Sequence, residues 1–143
     1  MEISKYNSEG YSDPTTHDAL ANITKKEEAV RKAAFKPLVY ICSPYAGDTR
    51  KNTKKARRYC RFAVEQNAIP IAMHLLLPQF MDDNNPAERE LAMFMNIVLL
   101  GKCNELWVFG NIISNGMEQE ISKAKKRRQT IRYFNEEMEE VSE

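Results

Sequence analysis

Along the chain, short continuous apolar runs alternate with longer stretches in which apolar residues recur every three or four positions. The runs are "LVYICS" (38–43), "AIPIAM" (68–73), "ELWVFG" (105–110) and "TIRYF" (130–134). Their shortness and their β-branched and aromatic content predict strands buried on both faces. Between them, Ala56, Tyr59, Cys60 and Ala63 fall at i, i+3, i+4 and i+7 and predict a helix over 52–67. Leu91, Met95, Val98 and Leu99 form the stripe of a helix over 86–103, with Asn85 as its cap and Pro86 in its first turn. A further helix over 114–128 turns Met117, Ile121 and Ala124 inward.

Residues 1–14 are polar and read as an arm. The stretch "TTHDALANITKKEEAVRKAAF" then predicts a long helix capped by Thr15 or Thr16. Its rough stripe is Ala19, Leu20, Ile23, Ala29, Val30 and Ala33, a face that would pack on the outside of the domain or on a partner subunit. At the other end, the acidic "NEEMEEVSE" reads as frayed helix or coil. Strands alternating with helices predict right-handed βαβ units and a parallel sheet covered on both faces. The expected fold is α/β: a flavodoxin/Rossmann-like doubly wound parallel sheet of four to five strands, ordered 2-1-3-4, plus the N-terminal helix. The expected division is an arm and helix over 1–35, the α/β domain over 36–134 and a tail over 135–143.

Composition narrows the class. The 143 residues suffice for one domain with a core, and 43% hydrophobic with 29% charged residues is ordinary for a soluble protein. Lys+Arg is 21 against 20 for Asp+Glu, which argues against a protein that coats nucleic acid; no stable nucleic-acid complex is expected. No segment nears the roughly 18 apolar residues of a membrane span, and the N-terminus has no apolar signal core, so no membrane is expected. Cys42, Cys60 and Cys103 are odd in number, far apart and set in apolar patterns. They read as buried free thiols in a reducing cytoplasm. No Cys/His spacing suits zinc; neither metal nor cofactor is expected.

In an open parallel sheet, ligands bind beyond the carboxyl ends of the strands. Three loops lie there: "SPYAGDTR", "HLLLPQFMDDNN" and "GNIISNGMEQE". The first offers the Ser43 hydroxyl, the Tyr45 ring, Gly47 for close backbone approach and the Asp48 carboxylate, with Arg50 just beyond; equally, Pro44 and Gly47 punctuate a turn and Asp48 or Asn52 caps the next helix. In the second, His74 is a hydrogen-bonding group or a catalyst, and Asp82 and Asp83 are a polar turn or a metal-friendly cluster. The third opens a helix at Ser114, Asn115 and Gly116, where free N–H groups favour an anion. Ser114 or Asn115 is the cap, with Glu118 as a capping-box acid. Glu118 and Glu120 point about 200° apart on a helix, so only one can face the crevice. Trp107 lies within a strand and reads as core, and "KAKKRR" suits a helix C-terminus.

The stretches "YICSPYAG", "PIAMHLLLPQFMDD", "CNELWVFG" and "SNGMEQEISKA" resemble prophage-associated domains of unknown function related to the nucleoside 2-deoxyribosyltransferases and the 2'-deoxynucleoside 5'-phosphate N-hydrolases. The likeness to the uncharacterised domains covers nearly the whole chain; that to the enzymes rests on short motifs over 38–128. The resemblance implies that Tyr40 orients a catalytic glutamate. "SPYAGD" is similar to a phosphate-binding loop, with Ser43, Tyr45 and Gly47 in comparable places. In "NGMEQEISKA", Glu120 stands at the nucleophile position, Gly116 at the first glycine and Glu118 where a second glycine would be. The position of the enzymes' acid/base aspartate is Asn96 here, and a strand-leading aspartate becomes Asn104. Asparagine cannot move a proton in that role, so His74, Asp82 or Asp83 would have to replace it.

The resemblance therefore implies a nucleoside or nucleotide N-glycosidic-bond hydrolase, or a deoxyribosyltransferase-like protein, with a glutamate nucleophile. Tyr40 and Asn96 complete the catalytic set. Ser43, Tyr45, Gly47, Asp48, His74, Ser114, Asn115 and Gly116 are the candidates for holding substrate. The alternative is a non-catalytic nucleotide-binding prophage protein that senses or sequesters its ligand. The expected partners are a small-molecule nucleoside or nucleotide and further copies of the chain in a homo-oligomer.

Overall fold

The computed structural model describes residues 14–143, without the side chains of residues 14–16, 32 and 33. The expected arm lies outside the described residues but for Pro14, as do the side chains of Thr15, Thr16 and Ala33. The described chain divides into two units, one ending at Phe35 and the other Lys36–Glu143. In the first, helix α1 spans Pro14–Ala33, beginning ahead of both threonines.

The second unit runs β1 (Leu38–Cys42), α2 (Thr49–Glu65), β2 (Ile69–Ile71), α3 (Met73–Leu76), a 3-10 turn (Leu77–Gln79), α4 (Pro86–Leu100), β3 (Glu105–Phe109), α5 (Asn115–Lys126), β4 (Thr130–Phe134) and β5 (Glu140–Val141). The sheet order is β2-β1-β3-β4-β5. The first four strands are parallel, with Tyr40 beside Ile71 on one side and Leu106 on the other. β5 pairs antiparallel with β4, Phe134 opposite Glu140. The acidic tail is thus an edge strand rather than a frayed helix or coil. Glu140 accepts from Arg132 Nε at 2.9 Å, while Glu143 pairs with Lys125 and Glu136 with Lys55, so three of its five glutamates pair with the domain's own cations.

Strand alternation splits the core into two layers. Val39, Ile41, Trp107, Phe109 and Phe134 meet Tyr59 and Ala63 of α2. Phe109 stacks on Tyr59 at 4.3 Å and on Phe134 at 4.9 Å between ring centroids. Trp107 is core, its Nε1 donating to Glu105 Oε1 and its ring under the Arg132 guanidinium. On the other face, Tyr40, Cys42, Leu106 and Val108 meet Met117, Ile121 and Ala124 of α5 and Leu100 of α4. All three cysteines are free; Cys42 and Cys103 are buried, Cys60 half-buried.

Helix α4 departs from its expected stripe. Leu91 and Val98 are 51% and 39% exposed, beside Phe94 at 66%. The expected Met95 and Leu99 do pack on the core, joined by Ala92, Ile97 and Leu100. The helix is apolar on most sides, so periodicity alone could not select the inward face. At the amino ends of the strands, Asn104 accepts from Leu38 N at 2.8 Å and donates from its own N to Leu38 O at 2.7 Å. Asn104 therefore clamps β1 to the start of β3, at the rim opposite the strand-end loops.

Candidate functional site

Beyond the carboxyl ends of β1 and β2 lies a hollow of about 180 Å³. Each wall has a local cause. β1 directs Tyr40 to the α5 side of the sheet, and the chain leaves the strand at Ser43. Asn52, one turn into α2, donates to Tyr45 O at 3.1 Å and Ala46 O at 3.0 Å, holding that loop against the helix. Tyr45 and Ala46 line the hollow with Ser43. After β2, the short α3 presents Met73 and His74, and the following turn presents Asp82 and Asp83. Asn85 caps α4 by accepting from Ala87 N at 3.0 Å; from this helix Arg89, Ala92, Met93 and Asn96, at i, i+3, i+4 and i+7, face inward. Ser114 caps α5 by accepting from Met117 N at 3.3 Å, and Ser114, Gly116, Met117 and Glu120 close the wall.

Glu120 is the chemically unusual residue. It sits at i+3 from Met117 and beside Ile121, on the apolar face of α5, and is only 8% exposed. Its Oε2 has no hydrogen-bond partner within the protein. Burial pushes its carboxyl up to about 7, against the opposing pull of the Tyr40 hydroxyl. Tyr40 is raised above the ordinary tyrosine range by its own burial first and by the Glu120 charge second. A second oxygen, Asn96 Oδ1, is also buried without a partner. Both residues line the same hollow, which therefore holds two oxygens free to accept a hydrogen bond.

The Ser43 hydroxyl and His74 Nε2 lie 2.9 Å apart. Burial lowers His74 to about 4, so the imidazole is neutral at physiological pH. The rim is acidic: Asp82, Asp83 and Glu88 stand against Arg89, the one Lys or Arg among the lining residues. Four methionines, Met73, Met81, Met93 and Met117, supply much of the apolar wall. Among the described residues, no group of three or more His, Cys, Asp or Glu side chains is placed to hold a metal ion.

Eight of the candidate residues meet here: Tyr40, Ser43, Tyr45, His74, Asn96, Ser114, Gly116 and Glu120. Three do not line the hollow. Asp48 caps α2, accepting from Lys51 N at 3.1 Å. Gly47 has a positive φ of 95°, and an added Cβ would meet nothing within 4 Å, so the turn's conformation rather than close approach explains the glycine. Asn115 lines a separate groove with Glu118. Ser114, not Asn115, is the cap, and Glu118 is exposed. The α4 contributors Glu88, Arg89, Ala92 and Met93 were missed in the sequence; the spacing of Arg89, Ala92, Met93 and Asn96 is the signal that marks their face.

A mostly parallel α/β sheet with a hollow of mixed polar and apolar lining at its strand ends defines the class. Within it, the chain belongs to the family described as a domain of unknown function, DUF7768, whose model matches residues 37–134. No curated protein matches the chain. The family assigns no activity, so the likeness to the deoxyribosyltransferases rests on the motifs alone. Among the described residues, no helix is long and apolar enough to cross a membrane.

Proposed function

We propose that the hollow binds a nucleoside or nucleotide and that Glu120 attacks its anomeric carbon, releasing the free base. The observation that carries this reading is Glu120 itself: a buried carboxyl with an unpartnered oxygen, lining the hollow beside Tyr40. In a low-dielectric site its ionised form stabilises an oxocarbenium-like centre strongly, as carboxylates do in glycoside hydrolysis. The carboxylate forms an ester to the sugar as the N-glycosidic bond breaks, and water then cleaves that ester. Asn96 accepts from a ligand N–H or hydroxyl but transfers no proton. Asp82 and Asp83 are the lining carboxyls available to protonate the departing base.

Four carboxyl groups against one cation favour the uncharged nucleoside over its monophosphate. The α5 terminus supports the same choice: a Cβ on Gly116 would lie 3.3 Å from Met93 Cε, so an apolar side chain covers that turn. The homo-oligomer expectation draws support from the exposed row Leu91, Phe94 and Val98 on α4, whose other face lines the hollow.

The test incubates the protein with deoxynucleosides and their monophosphates and follows free base by chromatography. Glu120→Ala should abolish release with the fold intact; an undiminished rate removes Glu120 as nucleophile. Asn96 favours a second reading, a binding module without turnover. That reading predicts a nucleoside-dependent rise in melting temperature with no base released.

A further inference from the structure

Helix α2 carries an arrangement that the hollow does not explain. Its 17 residues hold seven Lys or Arg and one acid, Glu65. At 100° per residue, Arg50, Lys54, Arg57, Arg58 and Arg61 fall within one arc of about 100°. All five are exposed, and Ala56, Tyr59 and Ala63 are buried on the opposite side. Only Arg61 of the five has an ion-pair partner among the described residues, Glu65.

A face needed only for solubility mixes signs, because like charges one turn apart disfavour the helix. Here Arg50–Lys54, Lys54–Arg58 and Arg57–Arg61 are all like-charge pairs at i, i+4. The helix dipole is opposed as well: Arg50 and Lys51 occupy the first turn, which holds no acid, and the last turn holds no base. The sequence keeps a positive row where helix stability favours the reverse. The near-zero charge of the whole chain conceals this concentration.

We propose that this face of α2 docks on the phosphate backbone of double-stranded DNA, without reading sequence. The row from Arg50 to Arg61 spans about 16 Å, so its five cations amount to about one per 3.3 Å of helix, close to the roughly 3.4 Å per phosphate along one strand of a duplex. Four of the five groups are arginine, the side chain that pairs bidentately with phosphate. The row offers no Asn or Gln for base edges and no exposed aromatic on which single-strand bases could stack. A lipid surface fits less well, because the apolar face that would enter it is already packed on the sheet and Val64 is the helix's sole exposed large apolar residue. The contact is weak and salt-labile, in keeping with a chain of balanced charge.

Fluorescence anisotropy of the full chain with a labelled duplex of about 20 base pairs, at salt from about 25 to 200 mM, tests this. Binding should weaken with a slope of log K on log salt of about −3 to −5, near −0.9 per phosphate contacted. Lys54→Glu with Arg57→Glu should cost about tenfold or more and shorten the slope by about two. Lys123→Glu with Lys126→Glu, the same charge change on α5, should leave both nearly unchanged; circular dichroism checks that both variants fold. No binding at about 25 mM salt, equal losses from the two pairs, or binding to phosphatidylserine vesicles or polyglutamate in preference to the duplex overturns the proposal. None of these readings depends on whether the hollow takes a nucleoside.

Discussion

The Ser43 hydroxyl lies 2.9 Å from Nε2 of His74, tying the end of β1 to the short helix that follows β2. Removing the hydroxyl leaves a neutral, buried ring nitrogen without its partner. Ser43→Ala should therefore lower stability by about 1–3 kcal/mol and loosen the loop that shapes the hollow. Urea denaturation measures the first effect and nucleoside titration the second. An unchanged midpoint would show that the pair contributes nothing.

Glu120 and His74 make opposite contributions to stability as pH changes. Glu120 is raised from 4.5 to about 7, so its contribution is full below about 4.5 and is lost as pH rises through 7. His74 is lowered from 6.5 to about 4, so its contribution is full above about 6.5 and is lost as pH falls through 4. Between about 4.5 and 6.5 the two oppose each other. Glu120→Gln leaves only the histidine limb: melting temperature should rise across that window and exceed the wild type by several degrees at pH 8. Calorimetry at three pH values checks it, and a variant that tracks the wild type would remove Glu120 as a titrating group.

Catalysis should follow the same group in the other direction. If the ionised carboxyl attacks, kcat/KM for base release rises as pH passes about 7 in the free protein. A profile flat from pH 6 to 8 contradicts an ionised Glu120 nucleophile.

Asp48 separates a cap from a binding residue. Its side chain accepts from Lys51 N and does not line the hollow. Asp48→Ala should cost about 1 kcal/mol of stability and leave nucleoside affinity unchanged. A tenfold loss of affinity in isothermal titration would return it to the ligand set.

Much of the architecture was legible because it rests on local pattern. Four short apolar runs and their intervening helices follow from run length and the 3.6-residue period, although only β1 and β3 are buried along most of their length, and crossover handedness then leaves few sheet orders. The choice between Glu118 and Glu120 was partly legible too: helical geometry put them on different sides, and the neighbours Met117 and Ile121 marked the inward one. Other details depended on distant partners. Glu140 forms an edge strand because Arg132 and β4 lie beside it. Leu91 and Val98 lost the core to Ala92 and Ile97 because the sheet's position, not the helix's own pattern, selects a face.

By itself the sequence determined the alternation of strands and helices, the strand-end position of the loops and the residue types they carry, since all of these follow from short-range periodicity and chain connectivity. Tertiary structure alone decided which of those residues share one hollow. It set Glu120 and Asn96 on facing elements of one hollow with unpartnered oxygens, chose the cap for Asp48 and put Asn104 at the far rim, because burial and hydrogen-bond partners are set by segments far apart along the chain.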